Sequence, residues 1–359
     1  MNVSRYTDTT ELRFDVEFVT PCFLGGAYGN AEIRTAPFKN LLRRWWRIAN
    51  GNLSPEELWK RESRLFGSTE KDPDIVAENK KLPKSEQKPE IFGKSKVELK
   101  IEVFPPENHT SIEKINIGKD RSADLAMYTG YGSVNMGKTY IKPNTRCSFV
   151  LSCPSKCSEK IRETLFYIHL FGTIGSRSRN AWGSIAIVPK SFHFEPGKYF
   201  PKPVFFIDIL SSNKHYPTCI GSDKKGMLCW QTEERYGSWE SAFEDVAVVY
   251  HRLVSDLKND DGEYQTKWRD LLGFATANDR LPSQLLLKIC KAPKRIPAGN
   301  ILKGCYEYYG QIVHIPYSVE DWKDENGNQQ EAWEYIHDWL DKEERLSGCM
   351  GRKTKGVAK

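Results

Sequence analysis

Five cations fall between residues 34 and 47, namely Arg34, Lys39, Arg43, Arg44 and Arg47, and no acid stands among them. At about 100° per residue, Phe38, Leu41, Leu42, Trp45, Ile48 and Ala49 share one arc of a helix. Lys39, Arg43 and Arg47 recur every four residues on the opposite side, with Arg44 beside them and Trp46 at the border. A solvated helix normally mixes signs, because like charges repel at this spacing. An unbalanced stripe points to an outside anion, most commonly phosphate, with Trp46 placed to stack on a base. The competing reading is a solvated face whose acids come from elsewhere in the fold.

A second cluster, residues 172–184, reads Gly-Thr-Ile-Gly-Ser-Arg-Ser-Arg-Asn-Ala-Trp-Gly-Ser. Glycines let a backbone approach a phosphate closely, Arg177 and Arg179 supply donors, and Trp182 offers a stacking face. The alternative is a connection that needs glycine for positive φ, with its arginines in water. Gly132–Thr139 fits the spacing G-x-x-x-x-G-K-T of a phosphate-binding P-loop. That pattern requires a buried strand before it and a helix after it. Here no apolar run precedes it, and Pro143 follows too soon for a helix, so nucleotide binding is not expected. Lys138 and Lys142 remain candidates for contact with RNA. Cleavage of RNA would need a general acid and base around one phosphate. Of seven histidines, His109 sits in a polar loop, while His169 and His251 lie along helices as structural residues. A nuclease is therefore the runner-up, and a subunit that packs only on protein neighbours is a third class.

These residues need elements to position them. Residues 11–19 alternate apolar and charged, as a half-buried strand does. A helix is expected from Pro37 to Ala49, and a second from Ser54, capped by Ser54 and Glu57, to Phe66 before Gly67. Residues 68–96 read as a solvated insertion. Strands follow at 97–103 and 147–151, with an irregular polar stretch, 105–144, between them. A helix covers 161–171, and residues 185–188 form a strand. The first half is thus β-α-α-β-loop-β-α-β, close to a ferredoxin-like unit with insertions. Residues 189–203 carry three prolines and mark a boundary. The second half has a strand at 204–210, a long amphipathic helix through Phe243 and Leu257, strands at 285–289 and 306–315, and a late helix through Trp333. Its order loosely echoes the first half. The last eight residues read as a basic disordered tail. Domains are expected at 1–190, with insertions near 68–96 and 105–144, and at 204–350.

With 359 residues, 39% hydrophobic and 28% charged, the chain has a globular composition and is long enough for two cores. No run approaches the roughly 18 apolar residues of a membrane helix, and a cytoplasmic location with no membrane partner is expected. The nine cysteines are odd in number and scattered, as reduced thiols are. Only Cys153 and Cys157 are close, with no second pair to complete a metal tetrahedron. Neither a metal nor a cofactor is called for. The net charge of +6 permits a polyanion partner without requiring one.

Several stretches carry a resemblance. Phe18–Ala27, then Glu32-Ile33-Arg34, then Phe38-Lys39-Asn40-Leu41-Leu42-Arg43-Arg44-Trp45-Trp46-Arg47, then Glu62 with Leu65–Ser68, resemble the RAMP superfamily of CRISPR proteins. More narrowly they are similar to the first subunit of the Cmr-type (type III-B) effector complex. Tyr128–Ser133 and the glycine-rich loop Gly175–Gly183 agree in order and spacing. The resemblance covers residues 12–188, with looser likeness at Leu281–Ile289 and Gly310–Pro316. Asn40 and Ala181 stand where the family usually has glycine. The resemblance implies an α+β chain of two ferredoxin-like (RRM-like) domains. It further implies contact with guide RNA or target RNA near the guide 3′ end, other effector subunits as partners, and no catalysis by this chain. Base pairing reads sequence in such assemblies while protein holds backbone.

Overall fold

Alternation in the first strand is realised as β1 (Thr9–Phe18), whose Leu12, Phe14, Val16 and Phe18 are buried. The structure is a computed structural model that describes residues 8–26, 29–106, 109–113, 115, 122–212, 217–259, 268–275, 280–295, 301–319 and 329–354. After β1 come α1 (Thr35–Ala49) and α2 (Pro55–Phe66). The Ser54 hydroxyl accepts from the Glu57 N–H at 3.3 Å, as the capping pattern requires. Next are β2 (Glu98–Val103), the helix α3 (Ser122–Thr129), β3 (Arg146–Pro154), α4 (Ser158–Phe171) and β4 (Ile185–Pro189). The sheet runs β2-β3-β1-β4, antiparallel throughout.

The second half contributes β5 (Cys229–Thr232), α5 (Trp239–Asn259), β6 (Leu285–Arg295), β7 (Ile301–His314), α6 (Gln329–Lys342) and β8 (Leu346–Gly348). Its sheet runs β6-β7-β5-β8, again antiparallel. Both sheets therefore have β-α-β-β-α-β connectivity with the first strand between the third and the fourth, the order of a ferredoxin-like sheet. The chain is α+β.

The two halves are joined through their cores. Ile220, Met227, Leu286, Val313 and Ile315 pack into the same apolar cluster as β1 and α1. Trp182 from the glycine-rich loop packs in the other cluster, 5.4 Å from the Phe23 ring and 4.7 Å from the Phe243 ring. Lys288 of β6 is buried, and its ammonium donates to the carbonyls of Ile168 (3.2 Å), His169 (2.6 Å) and Ile185 (2.8 Å). A cation thus meets two carbonyls of the last turn of α4 and one of β4 and ties the second sheet to the first half.

Several expectations are corrected here. Residues 68–96 form a strand (Ser68–Lys71) paired with Ile91–Gly93, around a helix (Pro73–Asn79) capped by Asp72. The charges that suggest a solvated stretch are used internally: Arg64 grips Asp72 and Asp74, and Lys71 pairs with Glu90. Within 105–144, α3 forms because Leu125 and Ala126 have a core to enter. The strand expected at 204–210 is two residues long, Val204–Phe205, and gives way to a helix, Phe206–Ser211. Phe206 and Ile209 are then buried at helical spacing.

Arg352, read as part of a disordered tail, is fully buried and bonded to Asp223 and Asp341. Residues 355–359 lie outside the described residues. Cys229 and Cys349, read as free thiols, form a disulfide. Antiparallel pairing of β5 with β8 brings their backbones together in a way that a sequence separation of 120 residues conceals. Among the described residues, no helix is long and apolar enough to cross a membrane.

Candidate nucleic-acid interface

The cationic helix forms, but its stripe is not uncompensated. Glu62 of α2 is buried, and its carboxylate accepts from Arg43 Nε and, at 2.6 Å, from Arg47 Nε. The acid comes from the next helix, which residues 34–47 alone cannot reveal. Lys39 is half-buried, and burial lowers its pKa against a smaller opposing pull from Glu98. Arg34 is exposed at the start of α1 and donates to the Gly25 carbonyl at 2.6 Å. Arg44 differs from all of these. Burial pulls its pKa down to about 10, with Arg179 the next cause, and its Nη2 is shielded from solvent without a hydrogen-bond partner.

Both tryptophans proposed to stack on bases belong to the core. Trp46 meets Phe66 edge-on at 5.8 Å, and Trp182 is fully buried with its indole N–H 3.3 Å from the Thr129 hydroxyl. The arc of α1 that packs inward is wider than its periodicity indicates, because α2 covers the border position.

The glycine-rich loop is built for its own backbone first. Gly175 and Gly183 have φ of +94° and +63°. A methyl group at Gly183 would stand 1.9 Å from the Ile174 carbonyl oxygen. Ala181 has φ +68°, which explains why a glycine suits that position. The loop then lies on two other stretches. The Ser176 N–H donates to Phe23 O (2.9 Å), the Gly183 N–H to Pro21 O (2.9 Å), Arg177 Nε to Tyr131 O (2.7 Å) and Asn180 Nδ2 to Thr129 O (2.9 Å). Residues 21–26, 128–133 and 175–183 are thereby one surface.

That surface faces the second half across a cleft of about 460 Å³. Arg177, Ser178, Arg179 and Asn180 form one wall, Leu281, Pro282 and Ser283 another, with Tyr128 and Tyr250 between them. Among the described residues, no carboxylate lines the cleft. Arg177 and Tyr128 are exposed, and Arg179 is half-buried with its pKa lowered by burial. Tyr128 and the wall from the second half carry no local signal in the sequence, since each is one ordinary residue until α3 and β6 place it there.

Lys138 lies elsewhere. It lines a second cleft, of about 480 Å³, with Phe23, Met127 and Tyr140, on the side of α3 away from Arg177. The Gly132–Thr139 segment follows a helix and precedes a two-residue strand, and the Thr139 hydroxyl accepts from the Ala31 N–H at 2.6 Å. The P-loop context is missing. Lys142 is half-buried next to His109, whose carbonyl accepts from its N–H at 2.8 Å. The His109 ring contacts the Pro106 carbonyl at 2.7 Å, His169 is half-buried with its ring against the Ile187 carbonyl, and His314 and His337 are buried, none of them lining the cleft.

The segments that converge on the cleft also carry the family signature. The model of the RAMP superfamily matches residues 15–186. Over those residues the chain is similar to the RAMP superfamily. The RAMP segment runs from β1 into β4 and so includes α1, α2 and the whole glycine-rich loop. No curated protein matches the chain by sequence. Among solved structures it is similar to the crystal structure of Cmr1 from Pyrococcus furiosus in its apo form. That likeness has a TM-score of 0.50 at 15% identity, over 89% of this chain and 92% of the other. It is one of fold, and it extends beyond the RAMP segment through both sheets. The chain also has a weaker likeness to a chain in the cryo-EM structure of the type III-B Cmr-beta complex bound to cognate target RNA. There the TM-score is 0.46 at 12% identity, over 85% of this chain and 94% of the other.

Proposed function

We propose that this protein binds RNA as a non-catalytic subunit of a type III-B CRISPR effector, with the RNA backbone lying in the cleft beside Arg177 and Arg179. Its partners on this reading are guide RNA, target RNA and neighbouring subunits of the complex. The observation that carries the reading is a polar cleft walled by two arginines, with no carboxylate among the described residues that line it. Such a cleft concentrates phosphates through charge, and guanidinium forks match phosphate oxygens in pairs. Tyr128, exposed at the cleft, takes the stacking role that the buried tryptophans cannot fill. Contacts of this kind hold backbone and leave sequence to base pairing.

The test is fluorescence anisotropy of the full chain with labelled single-stranded RNA across a salt series. Each neutralised phosphate contributes about 0.7 to the slope for single strands, so Arg177→Ala with Arg179→Ala should reduce the slope by up to about 1.4. Affinity should fall equally for unrelated sequences. An unchanged slope in a folded double variant would remove the cleft from the interface.

A further inference from the structure

Most of the buried or half-buried arginines in this fold are answered by acids. Arg352 has Asp223 and Asp341, Arg64 has Asp72, and Arg43 and Arg47 share Glu62. Arg44 and Arg179 are not. Among the described residues no carboxylate acts on either guanidinium, and the charge felt most by Arg44 is Arg179 itself. Arg44 Nη2 is buried with no acceptor. Two like charges half withdrawn from water without a counter-charge oppose folding, and an unpaired buried donor adds to that cost. Neither group can escape by losing its proton at neutral pH, since Arg44 holds its proton up to about pH 10. The missing element is an anion. Arg179 also lines the cleft, so that anion can enter from there.

We propose that Arg44 and Arg179 form the seat of a single phosphate group, held between α1 and the glycine-rich loop at the inner end of the cleft. Phosphate fits better than carboxylate. A phosphate sets its oxygens out tetrahedrally, so two forks can reach it from different planes, whereas a carboxylate confines its acceptors to one plane. The source of the phosphate rests on the RNA-binding reading: it is one phosphate of the bound strand. The existence of the seat rests on the two arginines alone.

Thermal unfolding of the full chain in sodium phosphate, against sodium chloride of equal ionic strength, tests the seat with inorganic phosphate as the probe. At tenfold the dissociation constant, phosphate should raise the melting temperature by about 2–3 °C over chloride, and Arg61→Ala, at an exposed arginine of α2 outside the cleft, should keep that response. Arg44→Met and Arg179→Met should each lose it. Arg44→Met should also melt higher than the parent in chloride, because an unanswered buried charge has been removed. An arginine serving only to support the fold would do the opposite. Anisotropy with single-stranded RNA separates the two readings. Equal affinity of the parent and both methionine variants would overturn the seat and leave RNA binding standing. A phosphate response without RNA affinity would uphold the seat and sink the RNA reading. A response to acetate as large as that to phosphate, or none to phosphate, would overturn the seat.

Discussion

Gly183 shows how little freedom single residues have in the loop that builds the cleft. Its N–H donates to Pro21 O and its carbonyl accepts from the Ile174 N–H, so the turn is held from both sides. Gly183→Ala would drive a methyl group into the Ile174 carbonyl and impose a left-handed φ on alanine. It should destabilise the protein by about 3 kcal/mol or more, read by urea unfolding; a loss below 1 kcal/mol would mean that the loop can yield. Ala181 makes the converse case. Its φ of +68° costs an alanine roughly 1–2 kcal/mol, while its buried methyl contributes about 0.8 kcal/mol. Ala181→Gly should therefore stabilise by up to about 1 kcal/mol, and destabilisation would show that the methyl contact outweighs the backbone strain.

Among the elements, α1 and α2 act as a pair. Glu62 is buried under Arg43 and Arg47, and their removal strands a carboxylate. Arg43→Ala with Arg47→Ala should cost about 2–3 kcal/mol of stability, whereas adding Glu62→Gln should recover part of that loss. Circular dichroism during thermal unfolding reads both. Additive effects, with no recovery in the triple variant, would show that the three side chains do not act as a unit. The same packing explains why Trp46 cannot stack on RNA: the helix that supplies Glu62 also supplies Phe66. A helical stripe can be read from spacing, but the neighbour that covers its border cannot.

At the scale of the whole molecule, three histidines lie in the interior, His314 and His337 buried within the second half and His169 half-buried in the last turn of α4. Burial lowers the pKa of His169 from 6.5 to about 4, and pushes His314 and His337 well below their usual range. His314 Nδ1 lies 2.9 Å from His337 Nε2, a contact that both rings cannot make when doubly protonated. Unfolded, these three histidines take up protons below pH 6.5, whereas in the folded chain burial withholds protons from them until well below that pH, to about 4 for His169. Stability is therefore complete above pH 6.5 and lost as pH falls through this window. At pH 5 the loss is about 2 kcal/mol for each histidine, a large share of a stability on the order of 5–15 kcal/mol. Asp72, Asp338 and Asp341, with lowered pKa values, act only below this window. Urea midpoints at pH 7.5, 6 and 5 should fall steadily; a flat series would mean that the histidines are hydrated.

Much of this was legible from residues alone, where the signal is local. The alternation in β1, the Ser54 cap of α2, the apolar arc of α1, the missing P-loop context and the α+β class all rest on spacing within about 15 residues. Backbone sterics and burial periodicity act over that distance. The surplus of cations near Arg44 and Arg179 was visible too, since composition is local. What only the tertiary structure decided is which of those cations are answered. Glu62 reaches Arg43 and Arg47 because two helices pack, while no carboxylate among the described residues acts on Arg44 or Arg179. The far wall of the cleft, the Cys229–Cys349 bond and the burial of Trp46, Trp182 and Arg352 likewise depend on strands and helices distant in sequence meeting across a core. Charge pairing and burial are properties of neighbours in space, and a linear pattern does not contain them.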